Sequence, residues 1–478
     1  MRRASRAACA LAVATGLAVA AGCGGGGGDD AATTAPASAP STAASAPAPA
    51  GPSSVRVVDG DTGRPAGGAT VTGLDGSLDP VGTVTADGDG VARAPEGSLF
   101  VRATSGRSTG TSRVAPSGEL RLRIYDPRLQ SPEYGGGPAR TRFVPAVDVP
   151  PPSGKPSWTF DARTLIEFPP AVVDGLVVFG VNSGRVFALD ADTGEVRWAR
   201  RQKGEIAATP AISGGKVVVA SMDGMLTAYS RGSGAPLWQY STDGSPIESS
   251  PLVVGGLVYT GAWNGRLSAV DLDTGRLRWS FSAAGDIKGS PARSGANIIV
   301  GDYAGNVYAL DARTGAERWR FTGGQRFYGG PGVSGDTIVI GDVGGAVIAL
   351  DARTGAERWR HSTGGDYVYA SPAIARGTVF IGSYAGDFQA LDLATGASRW
   401  SFDVGGRISG SATVVGDVVY VSRLYSEGQA RATYGLDTAT GAVVYQTDDG
   451  RYSPAVAAGR TLYLVGTRML RAYHAERP

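Results

Sequence analysis

The chain has 478 residues, 42% hydrophobic and 18% charged, which is enough for two or three domains with sizeable cores. A formal net charge of only +2, with dispersed basic residues, argues against a dedicated nucleic-acid surface. The two cysteines, Cys9 and Cys23, both lie near the N-terminus, so no folded domain can hold an internal disulfide or a thiolate metal site, and the two histidines, His361 and His474, read as surface positions.

At the N-terminus Arg2, Arg3 and Arg6 precede an apolar run from Ala7 to Ala21. It is too short to span a bilayer and reads as an export signal. Arg2-Arg3 hints at twin-arginine export, although the rest of that motif is missing. The run ends in Ala20-Ala21-Gly22-Cys23, which resembles the bacterial lipoprotein box of small residues before an acylated cysteine. Position 20 departs from that pattern, where leucine is preferred. The resemblance implies a signal peptide over 1–22, lipidation at Cys23, and an exported chain anchored to the outer face of the bacterial cell membrane. A plain signal peptide with Cys23 free is the other reading. Residues 23–53 are Gly, Ala, Ser, Thr and Pro with little to bury, a disordered linker.

Residues 54–127 alternate apolar and polar side chains over short runs, among them Val55-Arg56-Val57-Val58 and Leu120-Arg121-Leu122-Arg123-Ile124. That pattern predicts a small antiparallel β-sandwich. Its turns, Thr62-Gly63-Arg64-Pro65 and Thr85-Ala86-Asp87-Gly88, resemble those of carboxypeptidase-regulatory-like domains, which implies a spacer or weak binding module. Residues 128–156, with Gly135-Gly136-Gly137 and Pro150-Pro151-Pro152, are expected to be an irregular, partly stiff linker.

From residue 157 to 478 one unit recurs. Tryptophans fall at 158, 198, 238, 279, 319, 359 and 400, with Tyr445 in the next place. A period of about 40 residues containing four short strands predicts a β-propeller. Each unit has a Pro-led first strand, a β-branched second, a third such as Tyr308-Ala309-Leu310-Asp311, and a Thr314-Gly315 turn into a fourth, Glu317-Arg318-Trp319. The Asp can cap the turn and the Gly supplies positive φ. Eight first strands begin near residues 168, 208, 249, 289, 329, 370, 410 and 452. The last copy has only three strands, so Trp158-Thr159-Phe160 must supply its fourth. The fold class is therefore all-β, an eight-bladed propeller of four-stranded blades closed by an N-terminal strand and preceded by the sandwich.

The unit Ala-Leu-Asp-Ala-x-Thr-Gly-x-x-x-Trp resembles the pyrroloquinoline-quinone (PQQ) propeller repeat across residues 157–478. The resemblance implies one of two branches: quinoprotein alcohol and glucose dehydrogenases, or non-catalytic scaffolds such as the BamB lipoproteins of the outer-membrane protein assembly machinery. The dehydrogenase branch stacks PQQ between a Trp and an adjacent-cysteine disulfide, over Ca²⁺ held by Glu, Asn and Asp. This chain lacks the cysteine pair and any long insertion between blades. Asp302 and Asp342 share one column, but they read as turn-stabilising aspartates in separate blades. PQQ, Ca²⁺ and any other metal are therefore not expected, and no catalytic residue is assigned.

Function is better sought in the columns that architecture leaves free. The loop between second and third strands carries Asn182, Met222, Trp263, Tyr303, Val343 and Tyr384. Three residues before the Pro, the loop entering the first strand carries Glu167, Ala207, Glu248, Lys288, Tyr328, Tyr369, Ser409 and Arg451. One face thus gathers Trp263, Tyr303, Tyr328, Tyr369, Tyr384 and Tyr425 with Arg326, Arg407, Arg423 and Arg451. Aromatic and arginine side chains together suit a partner-binding surface. Packing of half of them against neighbouring loops is the competing reading. Blade seven adds a longer hairpin, Arg423 to Ala432. The expected function is a non-catalytic, monomeric, membrane-anchored scaffold that binds an envelope protein or peptide and no nucleic acid. An envelope sensor or carrier of a small ligand is the first alternative, and a PQQ-dependent dehydrogenase the second.

Overall fold

From Ala171 onward the chain lays down one four-stranded antiparallel sheet after another, each bonded in chain order. The computed structural model describes residues 54–114, 118–145, 149–364, 367–424 and 430–475. The signal peptide, the 23–53 linker, Cys23 and Tyr425 lie outside the described residues. The first blade is Ala171–Val173, Leu176–Gly180, Arg185–Asp190 and Val196–Arg201. The strand types follow from position in the ring. Second strands such as Leu176–Gly180 and Thr337–Gly341 are buried at every residue, because blades cover both of their faces, and so they read as apolar runs rich in β-branched residues rather than as alternating ones. Fourth strands such as Glu317–Thr322 lie at the outer edge and alternate exposed with half-buried residues.

Eight sheets arise in this way, and the closure expected from the sequence is present. Trp158–Asp161 pairs antiparallel with Met469–His474, placing Trp158 opposite Ala472 in the eighth blade. The first strand of that blade, Ala455–Ala458, lies beside the first strand of blade 1. The first strands start about three residues later than the Pro-led pattern suggested, at 171 rather than near 168 for blade 1. The residues before them are used in hydrogen bonds between blades. The N–H of Thr209 donates to Ser250 Oγ, and that of Ser250 to Ser290 Oγ, both at 3.0 Å. Further round, Gly330 donates to Ser371, Ser371 to Ser411 and Ser411 to Ser453. A belt of hydroxyls, one per blade in most blades, ties the hub together. At Gly330 a Cβ would lie 2.4 Å from the Ser290 carbonyl oxygen, so only glycine fits there.

The repeat motif is an inter-blade lock. The indole Nε1 of Trp158 donates to Ala191 O of the next blade at 2.8 Å, and that of Trp198 to Arg231 O at 2.9 Å. The pattern continues to Trp400 and Thr438 O. Tyr445 departs from tryptophan where the following blade has chain ends in place of the Thr-Gly turn. The columnar aspartates cap their turns as expected. Asp311 Oδ1 accepts from the Thr314 N–H and hydroxyl, both at 2.9 Å, while its Oδ2 takes Arg318. Asp302 and Asp342 likewise accept backbone N–H groups of their own turns, those of Asn306 and Ala346.

The sandwich has one sheet of three strands, with Ser54–Asp59 between Val91–Arg93 and Glu119–Ile124, and one of four formed by Pro80–Thr85, Thr70–Leu74, Phe100–Ser105 and Ser108–Arg113. Its alternating residues Val55, Val57, Val71, Val101 and Ile124 form the core. It rests against blades 8 and 1. The Asp61 carboxylate accepts from Gln130 Nε2, Gln130 Oε1 accepts from the Asp174 N–H, and Arg123 pairs with Asp192.

The stretch read as a linker is the largest departure from the sequence expectation. Residues 129–144 run around the inside of the hub and pair with the first strands in turn. Val172 N–H donates to Ser131 O, Ile212 to Pro132 O, Arg293 to Pro138 O, Val333 to Ala139 O, Ile374 to Thr141 O and Val414 to Arg142 O, all within 2.9 Å. Val253 N–H finds the carboxylate of Glu133 at 3.0 Å. Phe143–Val144 then adds a fifth strand, parallel, to blade 7. Two arginines anchor this circuit and are 1% exposed. Arg140 donates to Pro291 O and Pro251 O and sits 3.9 Å from Glu133; Arg142 donates to Ser411 O and lies over the Tyr134 ring at 4.4 Å. Burial pushes the Glu133 carboxyl up and the Arg140 guanidinium down, and each charge opposes the other's shift.

Because strands alternate in direction, the turns joining first to second and third to fourth strands share one face of the ring. The sandwich contacts this face, through Asp174 and Asp192. The loops joining second to third strands, and each blade to the next, share the opposite face.

Candidate binding face and channel mouth

The two columns singled out in the sequence meet on that opposite face. Tyr328 and Tyr369 enter blades 5 and 6, and their rings lie 5.0 Å apart, edge to face. Tyr303, from the blade 4 loop, is 6.1 Å from Tyr328, and Tyr384, from blade 6, is 5.3 Å from Tyr369. Trp263 is joined to this series by a cation rather than by a ring: Lys288 Nζ lies 3.8 Å from the Trp263 centroid and 4.6 Å from that of Tyr303. Five of the six expected aromatics therefore form one arc across blades 3 to 6, and each is half-buried. Tyr367, which sequence reasoning did not select, stacks on Tyr369 at 5.4 Å and is 46% exposed.

The four expected arginines divide. Arg407 lies over Tyr384 at 5.0 Å and Arg326 over Tyr303 at 6.0 Å, and both remain exposed. Arg451 sits over Tyr452 on the far side of the mouth. Arg423 is spent on architecture, donating to Val404 O and Ala430 O at 2.9 Å, and so pins its hairpin to blade 6.

At the centre of the face the channel opens as a cavity of about 160 Å³. Tyr134 of the hub circuit and Phe168 line it, their rings 5.7 Å apart. Its rim is the column before the first strands: Glu167, Glu248, Lys288, Tyr328, Tyr369 and Ser409. Glu248 accepts a short hydrogen bond from the Tyr328 hydroxyl, 2.5 Å, which with burial raises that phenol above its ordinary value. Glu167 has no hydrogen bond or ion pair among the described residues, and burial together with the charge of Glu248 lifts its carboxyl to about 7. The sequence column already contained Glu167, Glu248 and Lys288. Their convergence was hidden because they are separated by 81 and 40 positions in the chain.

Residues 144–305, 303–447 and 362–472 match the family model described as outer membrane protein assembly factor BamB. Among curated proteins, the chain is 30% identical over 148 residues to a 1-butanol dehydrogenase (cytochrome c) of Thauera butanivorans, a match to 28% of this chain and 20% of that protein. It is 33% identical over 94 residues to outer membrane protein assembly factor BamB of Burkholderia pseudomallei, 18% of this chain and 25% of that one. These matches span a fifth to a quarter of the length of the curated relatives. Among solved structures, BamB from Moraxella catarrhalis aligns with a TM-score of 0.56 at 17% identity, covering 67% of this chain and 99% of that one. This likeness is one of fold.

Proposed function

Because this chain belongs to the PQQ-like propeller family described as outer membrane protein assembly factor BamB, we propose that it is a non-catalytic scaffold of the cell envelope that binds a protein or peptide partner through its aromatic–arginine face. The observation that carries this reading is the unbroken series of ring and cation contacts from Trp263 to Tyr384, flanked by exposed Arg326 and Arg407. Half-buried aromatics beside exposed arginines are the side chains that dominate binding energy at protein interfaces. The sandwich, which leads back to Cys23, contacts the other face of the ring. A lipid anchor at Cys23 would hold the chain at the outer face of the cell membrane.

The test is affinity capture from cross-linked envelopes of the source cells. Trp263→Ala with Tyr384→Ala is expected to cut recovery of the wild-type partners at least tenfold; unchanged recovery would sink the face assignment.

The similarity to a 1-butanol dehydrogenase favours a second reading, quinone-dependent oxidation. The residue set does not suit it. The described residues contain no cysteine and no group of three or more His, Cys, Asp or Glu able to hold a metal ion. Glu167 and Glu248 would oppose an acidic quinone in the channel mouth. Addition of PQQ and Ca²⁺ is expected to yield no dye-linked oxidation of alcohols or sugars, and oxidation would overturn the scaffold reading.

A further inference from the structure

The channel mouth opens at the centre of the aromatic–arginine face, within reach of any chain docked there. Two carboxylates from blades 1 and 3, Glu167 and Glu248, face a cavity lined also by the rings of Tyr134, Phe168, Tyr328, Tyr369 and Tyr452, by Lys288, and by glycines and serines of the hub. Neither forms an ion pair among the described residues. The two nearest cations lie against aromatic rings. Lys288 is held over Trp263 and Tyr303, and Arg451 over Tyr452. The mouth therefore holds two carboxylates that form no ion pair among the described residues, beside cations that lie on aromatic rings.

We propose that the channel mouth is a receptor for a cationic group, a primary ammonium or guanidinium, that passes between the rings and pairs with Glu167 and Glu248. This rests on the binding-face reading for the source of the cation, a lysine or arginine side chain of the docked polypeptide. A cavity of about 160 Å³ has room for the end of one such side chain but not for a folded segment. The chemistry is selective. Aromatic faces attract a cation and carboxylates neutralise it, whereas an uncharged side chain of the same length would leave Glu167 without a partner and Glu248 with only the Tyr328 hydroxyl. The floor adds to this. Tyr134 is held by its own hydroxyl on Ser411 Oγ at 3.0 Å and by Arg142 beneath its ring, so the receptor is rigid before anything enters.

Charge neutralisation also predicts a proton signature. The groups acting on the Glu167 carboxyl are Glu248 and Glu205, which raise it together with burial, and Arg451, which lowers it. A bound cation adds a second lowering influence. Near pH 7 Glu167 is partly protonated, so cation binding should release a fraction of a proton.

The experiment uses the full chain and defined probes. N-acetyl-lysine amide and N-acetyl-arginine amide are titrated by calorimetry in buffers of different ionisation enthalpy, beside N-acetyl-norleucine amide, N-acetyl-citrulline amide and free butylamine. The expected result is binding of the two cationic amides at least tenfold tighter than their uncharged counterparts, with proton release at pH 7. The same preference should fall at least tenfold in Glu167→Gln/Glu248→Gln, a near-isosteric variant whose folding is checked by its thermal transition. Butylamine binding as tightly as the peptide-borne amines would overturn the side-chain source in favour of a free amine. Equal affinity for charged and uncharged probes, or no binding of any cation, would overturn the receptor. If envelope partners are still lost on Trp263→Ala/Tyr384→Ala while no cation binds, the face stands and only this inference falls.

Discussion

Trp279 of blade 3 lies flat against Gly315 of blade 4: a Cβ on that glycine would come within 2.5 Å of the indole Cε3, while the indole Nε1 donates to Ala312 O at 3.0 Å. The same pair recurs from Trp158 with Gly194 to Trp400 with Gly441, so the two most regular letters of the repeat are two halves of one joint. Gly315 also has a φ of 74°, a conformation that side chains disfavour. Gly315→Ala should therefore cost more than the turn strain alone, about 2–3 kcal/mol, because the indole must shift as well. Chemical denaturation followed by tryptophan fluorescence would read it. A loss below about 0.5 kcal/mol would show that the joint carries no load.

Deleting residues 157–161 removes the strand that pairs with Met469–His474 and the buried Trp158. The expected outcome is a thermal transition lowered by about 5–10 °C and broadened, because blade 8 then presents a bare edge and the ring loses one inter-blade lock. An unchanged transition would refute closure by the N-terminal strand.

The hub circuit should be as important to stability as any blade. Arg140→Met leaves Glu133 buried without its partner and strips donors from the carbonyls of Pro251 and Pro291. A loss of about 3 kcal/mol or more is expected, and Glu133→Gln in the same chain should restore part of it. Equal stability of wild type and Arg140→Met would mean that residues 129–144 only pass through the hub.

Glu167 predicts a pH dependence with a definite sign. Its carboxyl stands at about 7 in the folded protein, above the ordinary value of 4.5. Between those values the native state holds the proton that the unfolded chain releases, so stability falls as pH rises through this window. Glu167→Gln should match the wild type at pH 4.5. It should be more stable by on the order of 2 kcal/mol at pH 8, where the wild type carries the buried charge. Paired denaturation curves at the two pH values check this, and a difference of opposite sign would be fatal to it.

Much of the architecture is legible because it is written in local chemistry repeated eight times. A turn needs an Asp to cap it and a Gly to bend it, a blade needs a tryptophan to meet its neighbour, and these requirements impose residue types at fixed spacing. The same spacing showed that the last blade lacked a strand and where it would come from. The aromatic columns were legible in a weaker sense: aligning the loops put Trp263, Tyr303, Tyr328, Tyr369 and Tyr384 on one face, and the structure brings them into one arc.

What the sequence left unread depends on contacts that place few demands on residue type. Residues 129–144 serve the hub mainly through carbonyl oxygens, which every residue has, so a Gly- and Pro-rich circuit has the composition of a linker. Arg423 looked like a contact residue, yet its charge is spent on two backbone carbonyls; only tertiary geometry separates the two uses. Glu167, Glu248 and Lys288 are unremarkable as single positions in three different repeats. Ring closure carries the loops that bear them around one axis, and that alone turns three scattered charges into the mouth of a channel.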